Sequence, residues 1–201
     1  MQNMKIGVLG GSFNPAHDGH RYISLMALRL LGLDAVWWLV SPQNPLKSST
    51  HMAEYEDRLT SARAIASHPR IIISDFERKL GQSHTVHTLT SLKQTYPGRK
   101  FVWLMGADNL IQFPSWHQWE RIMKLVPIAV FNRPGYTYQA LNGKTARKYN
   151  RYRLKTESGG HSLLSLVDKK PPCWAYVAQT THKLSSTHIR NFHDNAGNAC
   201  S

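Results

Sequence analysis

Residues 6–9, Ile-Gly-Val-Leu, form a short apolar run that enters Gly10 and Gly11 directly. Two histidines follow at the spacing His17-x-Gly19-His20, and a helical pattern starts at once. A buried strand must therefore leave its sheet in a tight turn and continue as a helix. Glycine lets backbone approach an anion closely. A helix N-terminus offers unpaired N–H groups and positive potential, and imidazoles on that turn can donate hydrogen bonds to phosphoryl oxygens. Strand, turn and helix together read as a phosphate site. The competing reading is a plain glycine turn carrying two surface histidines.

The rest of the chain repeats the same alternation. Apolar, β-branched runs predict strands at 5–9, 35–40, 70–74, 100–105, 127–131 and 174–178. Helical periodicity falls between them at about 19–31, 54–67 and 85–95. In the first helix Tyr22, Ile23, Met26, Ala27, Leu30 and Leu31 are spaced to face a sheet. This order predicts a single α/β domain with a doubly wound, Rossmann-like parallel sheet, its right-handed crossovers gathering the strand C-termini along one ligand-binding edge. The domain is expected over 1–193, followed by a polar tail at 194–201. From 136 to 170 the pattern decays into Gly, Lys, Arg, Tyr and Ser, and a loop or lid is expected. Only Leu163, Leu164, Leu166 and Val167 look core-forming there.

Charge and cysteine content narrow the function classes. The formal net charge is +13 over 201 residues. Such a balance favours polyanions: nucleic acid, or a small and highly phosphorylated substrate. Lys144, Arg147, Lys148, Arg151, Arg153 and Lys155 fall in one stretch without an acid. It reads as a solvated segment, or as a lid over polyphosphate. Cys173 and Cys200 make no disulfide framework and lack partners at zinc-finger spacing. No apolar run is long enough to span a bilayer, and the N-terminus lacks a signal-peptide pattern. A cytoplasmic protein with no membrane partner is expected, a homo-oligomer being left open.

Gly10-Gly11-Ser12-Phe13-Asn14-Pro15-x-His17-x-Gly19-His20 resembles the signature of the nucleotidylyltransferases with a Rossmann-like fold. Near the other end, Leu184-Ser185-Ser186-Thr187-x-Ile189-Arg190 resembles their second signature. Intermediate segments are similar to the bacterial nicotinate-nucleotide adenylyltransferases: Ser41-Pro42-Gln43-Asn44-Pro45-Leu46-Lys47, Gly81-Gln82-Ser83-His84-Thr85-Val86-His87-Thr88-Leu89, Trp103-Leu104-Met105-Gly106-Ala107-Asp108, Phe113-Pro114-x-Trp116, and Asn132-Arg133-Pro134-Gly135. Asn14 stands where many members carry Asp, and His84 where Tyr is common.

The resemblance implies that ATP and nicotinate mononucleotide combine into nicotinate adenine dinucleotide and pyrophosphate. The mononucleotide phosphate would attack the ATP α-phosphorus in line. Such an attacking group needs little deprotonation, so the protein must align two anions and neutralise charge. His17, His20, Lys47 and Arg190 are the implied catalytic set. Gly10, Gly11, Ser12, Phe13, His17, His20, Ser185, Ser186, Thr187 and Arg190 would bind ATP. Asn44, Lys47, Thr85, Asp108, Trp116 and Arg133 would bind nicotinate mononucleotide, a Thr85 amide taking the carboxylate and Trp116 stacking on the pyridine ring. The competing readings are a helix N-cap for Asp108 and a core aromatic for Trp116. Mg2+ would arrive with ATP, with no metal ligands of the protein's own. The rivals are a sister adenylyltransferase acting on nicotinamide mononucleotide or phosphopantetheine, and a basic nucleic-acid-binding protein. The residues favour small-molecule substrates and no nucleic acid.

Overall fold

A computed structural model describes residues 3–42, 52–81, 83–155 and 161–178. Six strands form one sheet: β1 (Lys5–Gly11), β2 (Ala35–Val40), β3 (Ile71–Ser74), β4 (Lys100–Gly106), β5 (Ile128–Phe131) and β6 (Trp174–Val177). The spatial order is β3-β2-β1-β4-β5-β6, and every neighbouring pair is parallel. That is the order of dinucleotide-binding doubly wound sheets, with the switch point between β1 and β4. β2, β5 and β6 are buried along their whole length, which is why these strands read as unbroken apolar runs rather than alternating ones.

Two apolar layers cover the sheet. On one face α1 (Asp18–Leu30) and α2 (Tyr55–Ala66) pack through Ala27, Leu28, Leu59 and Ala62 onto Val36, Trp38 and Leu104. On the other, α4 (Thr85–Thr95) and α6 (Trp119–Leu125) set Val86, Leu89, Leu92, Ile122 and Met123 against Trp37, Phe101 and Trp103. The short α3 (Phe76–Leu80) precedes α4 and closes at Gly81, whose φ of 63° is a left-handed conformation suited to glycine. At the strand N-termini, away from the ligand edge, Asp168 accepts from Lys5 at 2.8 Å and Lys100 at 2.6 Å, tying the start of β1 to the start of β4.

Two local expectations are revised. The buried stripe of α1 is Gly19, Ser24, Ala27 and Leu28, continuing to Leu31, with Ile23, Met26 and Leu30 packed against the same core as expected and Tyr22 only half-buried. A serine holds the stripe because its hydroxyl accepts from Trp38 Nε1 at 2.7 Å and donates to the His20 carbonyl at 2.8 Å. Residues 136–155 are largely helical, in α7 (Thr137–Asn142), α8 (Lys144–Lys148) and a 3-10 turn at Asn150–Tyr152, whereas α5 (Ala107–Gln112) lies earlier, directly after β4. Ala140, Thr145, Ala146 and Tyr149 make the buried contacts, too small a set to leave a periodic apolar signal. Three of the basic side chains lie on aromatic faces: Lys148 over Trp119, Arg151 over Tyr152, and Arg153 over Trp174 and Tyr176. Leu163, Leu166 and Val167 are buried, whereas Leu164 is exposed.

Candidate active site

β1 ends at the switch point, and the glycine turn follows. Gly10 is required by packing: a Cβ there would sit 2.4 Å from the Trp103 ring of β4. Gly11 carries no such demand, its nearest neighbour being Phe13 at 3.7 Å. Phe13 takes φ 46°, a left-handed conformation uncommon for a bulky residue. Its ring is buried, stacked on Trp38 at 5.0 Å and packed 4.7 Å from His20. Those two contacts hold the strained turn in place.

His17 is the N-cap of α1. Its Nδ1 accepts from the Gly19 amide at 3.1 Å, and His20 Nδ1 accepts from the His17 amide at 3.2 Å. The pair is a reciprocal capping box built from two imidazoles. Because both Nδ1 atoms accept, the ring proton of each neutral histidine sits on Nε2. The rings lie 3.8 Å apart at 34°. Two N–H donors are thereby fixed side by side at a helix N-terminus, which is an arrangement suited to a phosphoryl group in transit.

A buried arginine supports this turn. Arg58 of α2 is 2% exposed, and it donates to the carbonyls of Ser12 (2.7 Å), Ser41 (2.7 Å), Pro42 (2.9 Å) and Ala53 (3.0 Å). One guanidinium so joins the phosphate turn, the end of β2 and the entry to α2. Burial pushes its pKa below the ordinary arginine value. Asn14 accepts from the Ala53 amide at 3.2 Å, bracing the same junction. Sequence reasoning passed over Arg58, although a cation on the Leu59–Ala62–Ala66 stripe of a helix signals a paired, buried role.

The other half of the site lies across β4. His84 caps α4 ahead of Thr85, and its ring stands 4.8 Å from that of His117, the residue after Trp116. The chain neighbours of Thr85 and Trp116, both residues expected on the nicotinate side, are thus in ring contact. Trp116 is half-buried, edge-on to Trp103 at 6.1 Å and to Phe113 at 5.2 Å. Asp108 is not the N-cap of α5. Gly106 holds that position, and the Asp108 carboxylate forms an ion pair with Arg133. Gly106 makes room for that carboxylate, since a Cβ would meet Asp108 Oδ1 at 2.4 Å.

Glu77 of α3 is a second residue that sequence reasoning missed. It is 3% exposed and accepts from Thr88 Oγ1 at 2.9 Å, with the Ser41 hydroxyl as a further partner. Burial outweighs both hydrogen bonds and raises its pKa to about 7.

Asn44, Lys47, Ser185, Ser186, Thr187 and Arg190, with the whole second signature and the 194–201 tail, lie outside the described residues. Among the described residues no group of three His, Cys, Asp or Glu side chains is arranged to hold a metal ion. None of their helices is long and apolar enough to cross a membrane.

A profile of the cytidylyltransferase-like family matches residues 8–192. A Parvibaculum lavamentivorans protein named "Probable nicotinate-nucleotide adenylyltransferase" is 58% identical over 93% of this chain and 91% of its own length. A protein of the same name from Agrobacterium fabrum is 43% identical over 94% of this chain and all of its own. The solved Plasmodium falciparum nicotinic acid mononucleotide adenylyltransferase, complexed with NaAD, superposes with a TM-score of 0.69. It is 18% identical, over 94% of this chain and 84% of that one, a likeness of fold. A parallel six-stranded sheet with paired imidazoles at its switch point therefore defines a nucleotidyltransferase of the cytidylyltransferase-like class. Within that class the chain belongs to the nicotinate-nucleotide adenylyltransferase family.

Proposed function

We propose that the protein transfers the adenylyl group of ATP to nicotinate mononucleotide, giving nicotinate adenine dinucleotide and pyrophosphate. The observation that carries this reading is the locked pair His17–His20 on the first turn of α1, beside the switch point. An oxygen of the mononucleotide 5′-phosphate attacks the α-phosphorus, and the bond from that phosphorus to the bridging oxygen of the leaving pyrophosphate breaks. The two Nε2–H groups stabilise negative charge gathering on the α-phosphoryl oxygens. They act as donors rather than bases, because the nucleophile is already an anion.

Gly10, Gly11, Ser12 and Phe13 line the nucleotide through backbone groups. Ser185, Ser186, Thr187 and Arg190 take the β- and γ-phosphates. Lys47 and Asn44 serve the phosphate of the acceptor. Thr85 and Trp116 receive the nicotinate ring, Asp108 a ribose hydroxyl through the oxygen not held by Arg133, and Arg133 orients the Asp108 carboxylate beside the mononucleotide. Mg2+ enters as part of the ATP complex, its ligands supplied mainly by the triphosphate. The reaction belongs to NAD biosynthesis in the cytoplasm and uses small-molecule substrates, with no nucleic acid.

The test is direct. Pure protein is mixed with magnesium-ATP and, separately, nicotinate mononucleotide, nicotinamide mononucleotide or phosphopantetheine. Pyrophosphate release is followed and the products are separated by chromatography. Nicotinate adenine dinucleotide is the expected main product. Turnover with phosphopantetheine alone would overturn the acceptor side.

A further inference from the structure

Three imidazoles meet beside the acceptor site. His84 and His87 lie one helical turn apart at the start of α4, and His117 comes from the turn ahead of α6. The ring centroids are 4.8 Å (His84–His117), 5.8 Å (His87–His117) and 6.1 Å (His84–His87) apart. His84 and His87 are half-buried, and His117 is exposed. The cluster is not arranged to hold a metal ion. Three imidazoles can turn N–H donors toward an anion.

We propose that His84, His87 and His117 form the wall of the acceptor pocket that selects a ring carboxylate over a ring carboxamide. The inference rests on the reading that Thr85 and Trp116 receive the nicotinate ring, since His84 and His117 are their immediate neighbours in the chain. Burial, then the charges of His117 and His87, push the His84 pKa below its ordinary value. A carboxylate laid against the cluster reverses that balance and draws a proton in. A carboxamide has no charge and does not.

Several other ionisable groups on the neighbouring elements are engaged elsewhere. Glu77 of α3 turns inward onto Thr88. On α6, Glu120 is held by Lys148 and Arg121 donates to Gln118. Asp108 of α5 is paired with Arg133, and Lys93 at the far end of α4 donates to the Leu125 carbonyl. No carboxylate is among the groups that shift His84, so among the described residues no side chain plays the part left to the substrate.

The experiment compares nicotinate and nicotinamide mononucleotide on the full chain at pH 6 and pH 8, with kcat/KM read from product chromatography. The two acceptors share ribose and phosphate, so the ratio of their kcat/KM values cancels every titration except those that sense the carboxylate. The ratio of acid to amide should rise by about tenfold as the pH falls from 8 to 6, within the limit of about a hundredfold for uptake of one proton. Calorimetric titration at pH 7 in two buffers of different ionisation enthalpy should register proton uptake for the acid beyond that for the amide. The H84Q/H117Q double variant should flatten the ratio. A pH-independent ratio in the native chain, with the acid still strongly preferred, would overturn the imidazole wall and leave the acceptor assignment standing. Absence of turnover with either mononucleotide would overturn the functional reading itself.

Discussion

Arg58→Met removes the guanidinium and keeps most of the hydrophobic stem. The native side chain makes four hydrogen bonds to main-chain carbonyls, two of them from one terminal nitrogen. A bond to a charged group contributes about 1.5–3 kcal/mol, and a buried acceptor left unpaired costs about 1–3 kcal/mol. Simple addition over four carbonyls would exceed 4 kcal/mol. The bonds share one donor group and the loop ends can take up water, so the terms are not additive. A loss of about 3–5 kcal/mol is expected, the range found when one partner of a buried charged contact is deleted. For a domain of this size that is a fall in Tm of about 6–20 °C. Urea titration followed by tryptophan fluorescence measures it, since Trp38 lies on the Phe13 ring of the same turn. Turnover should also fall in the folded fraction, because the Ser12 carbonyl loses its anchor. Arg58→Lys should recover part of the stability, one ammonium reaching fewer of the four oxygens. A loss below about 1 kcal/mol, or native turnover in Arg58→Met, would refute the anchoring role.

His20→Ala should lower kcat by about a hundredfold or more while the far-UV spectrum stays native, as expected for a donor used most in the transition state; near-native pyrophosphate release would remove His20 from the mechanism. Gly10→Ala should cost about 1–3 kcal/mol by overpacking against Trp103 and Gly11→Ala distinctly less, which thermal melts of the two variants will compare. Glu77 has a folded pKa raised to about 7. Its contribution to stability is therefore full below the unfolded carboxyl range and is lost as pH rises through 7, a swing of about 3 kcal/mol. Glu77→Gln keeps an acceptor for Thr88 but cannot ionise. Its Tm relative to the native protein should rise between pH 5 and pH 8, and a constant difference across that window would show that Glu77 does not titrate in the fold.

The doubly wound class was legible because the strands are rich in Val, Ile, Leu and Trp, with β2, β5 and β6 buried along their whole length, and α1 and α4 carry helical periods. The turn after β1 was legible for a different reason. Gly10, His17 and His20 lie close together in the chain, so local geometry alone fixes their relation. Arg58 and Glu77 were not legible, because their partners lie in other elements: Arg58 reaches Ser12, 46 residues away, and Glu77 reaches Thr88. A buried ion of this kind looks on paper like any solvated helix charge. The contact of His84 with His117 was hidden likewise, as it depends on how the α4 N-terminus and the turn before α6 meet over Trp103.

These hidden polar groups lie on one path. Arg58 holds the Ser12 and Ser41 carbonyls, the Ser41 hydroxyl meets Glu77, and Glu77 meets Thr88, one turn into α4 from Thr85. The path runs through buried atoms from the phosphate turn after β1, past the end of β2, to the helix beside Trp116. In-line transfer between two anions requires both to be held in a fixed relation, and small misplacements are costly in rate. Apolar packing alone tolerates small slides of one element on another. Hydrogen bonds between groups that cannot reach water resist them, because each slide would leave a buried donor or acceptor unpaired. That is a physical reason for the chain to carry a cation and a carboxyl inside its core at the cost of desolvating both.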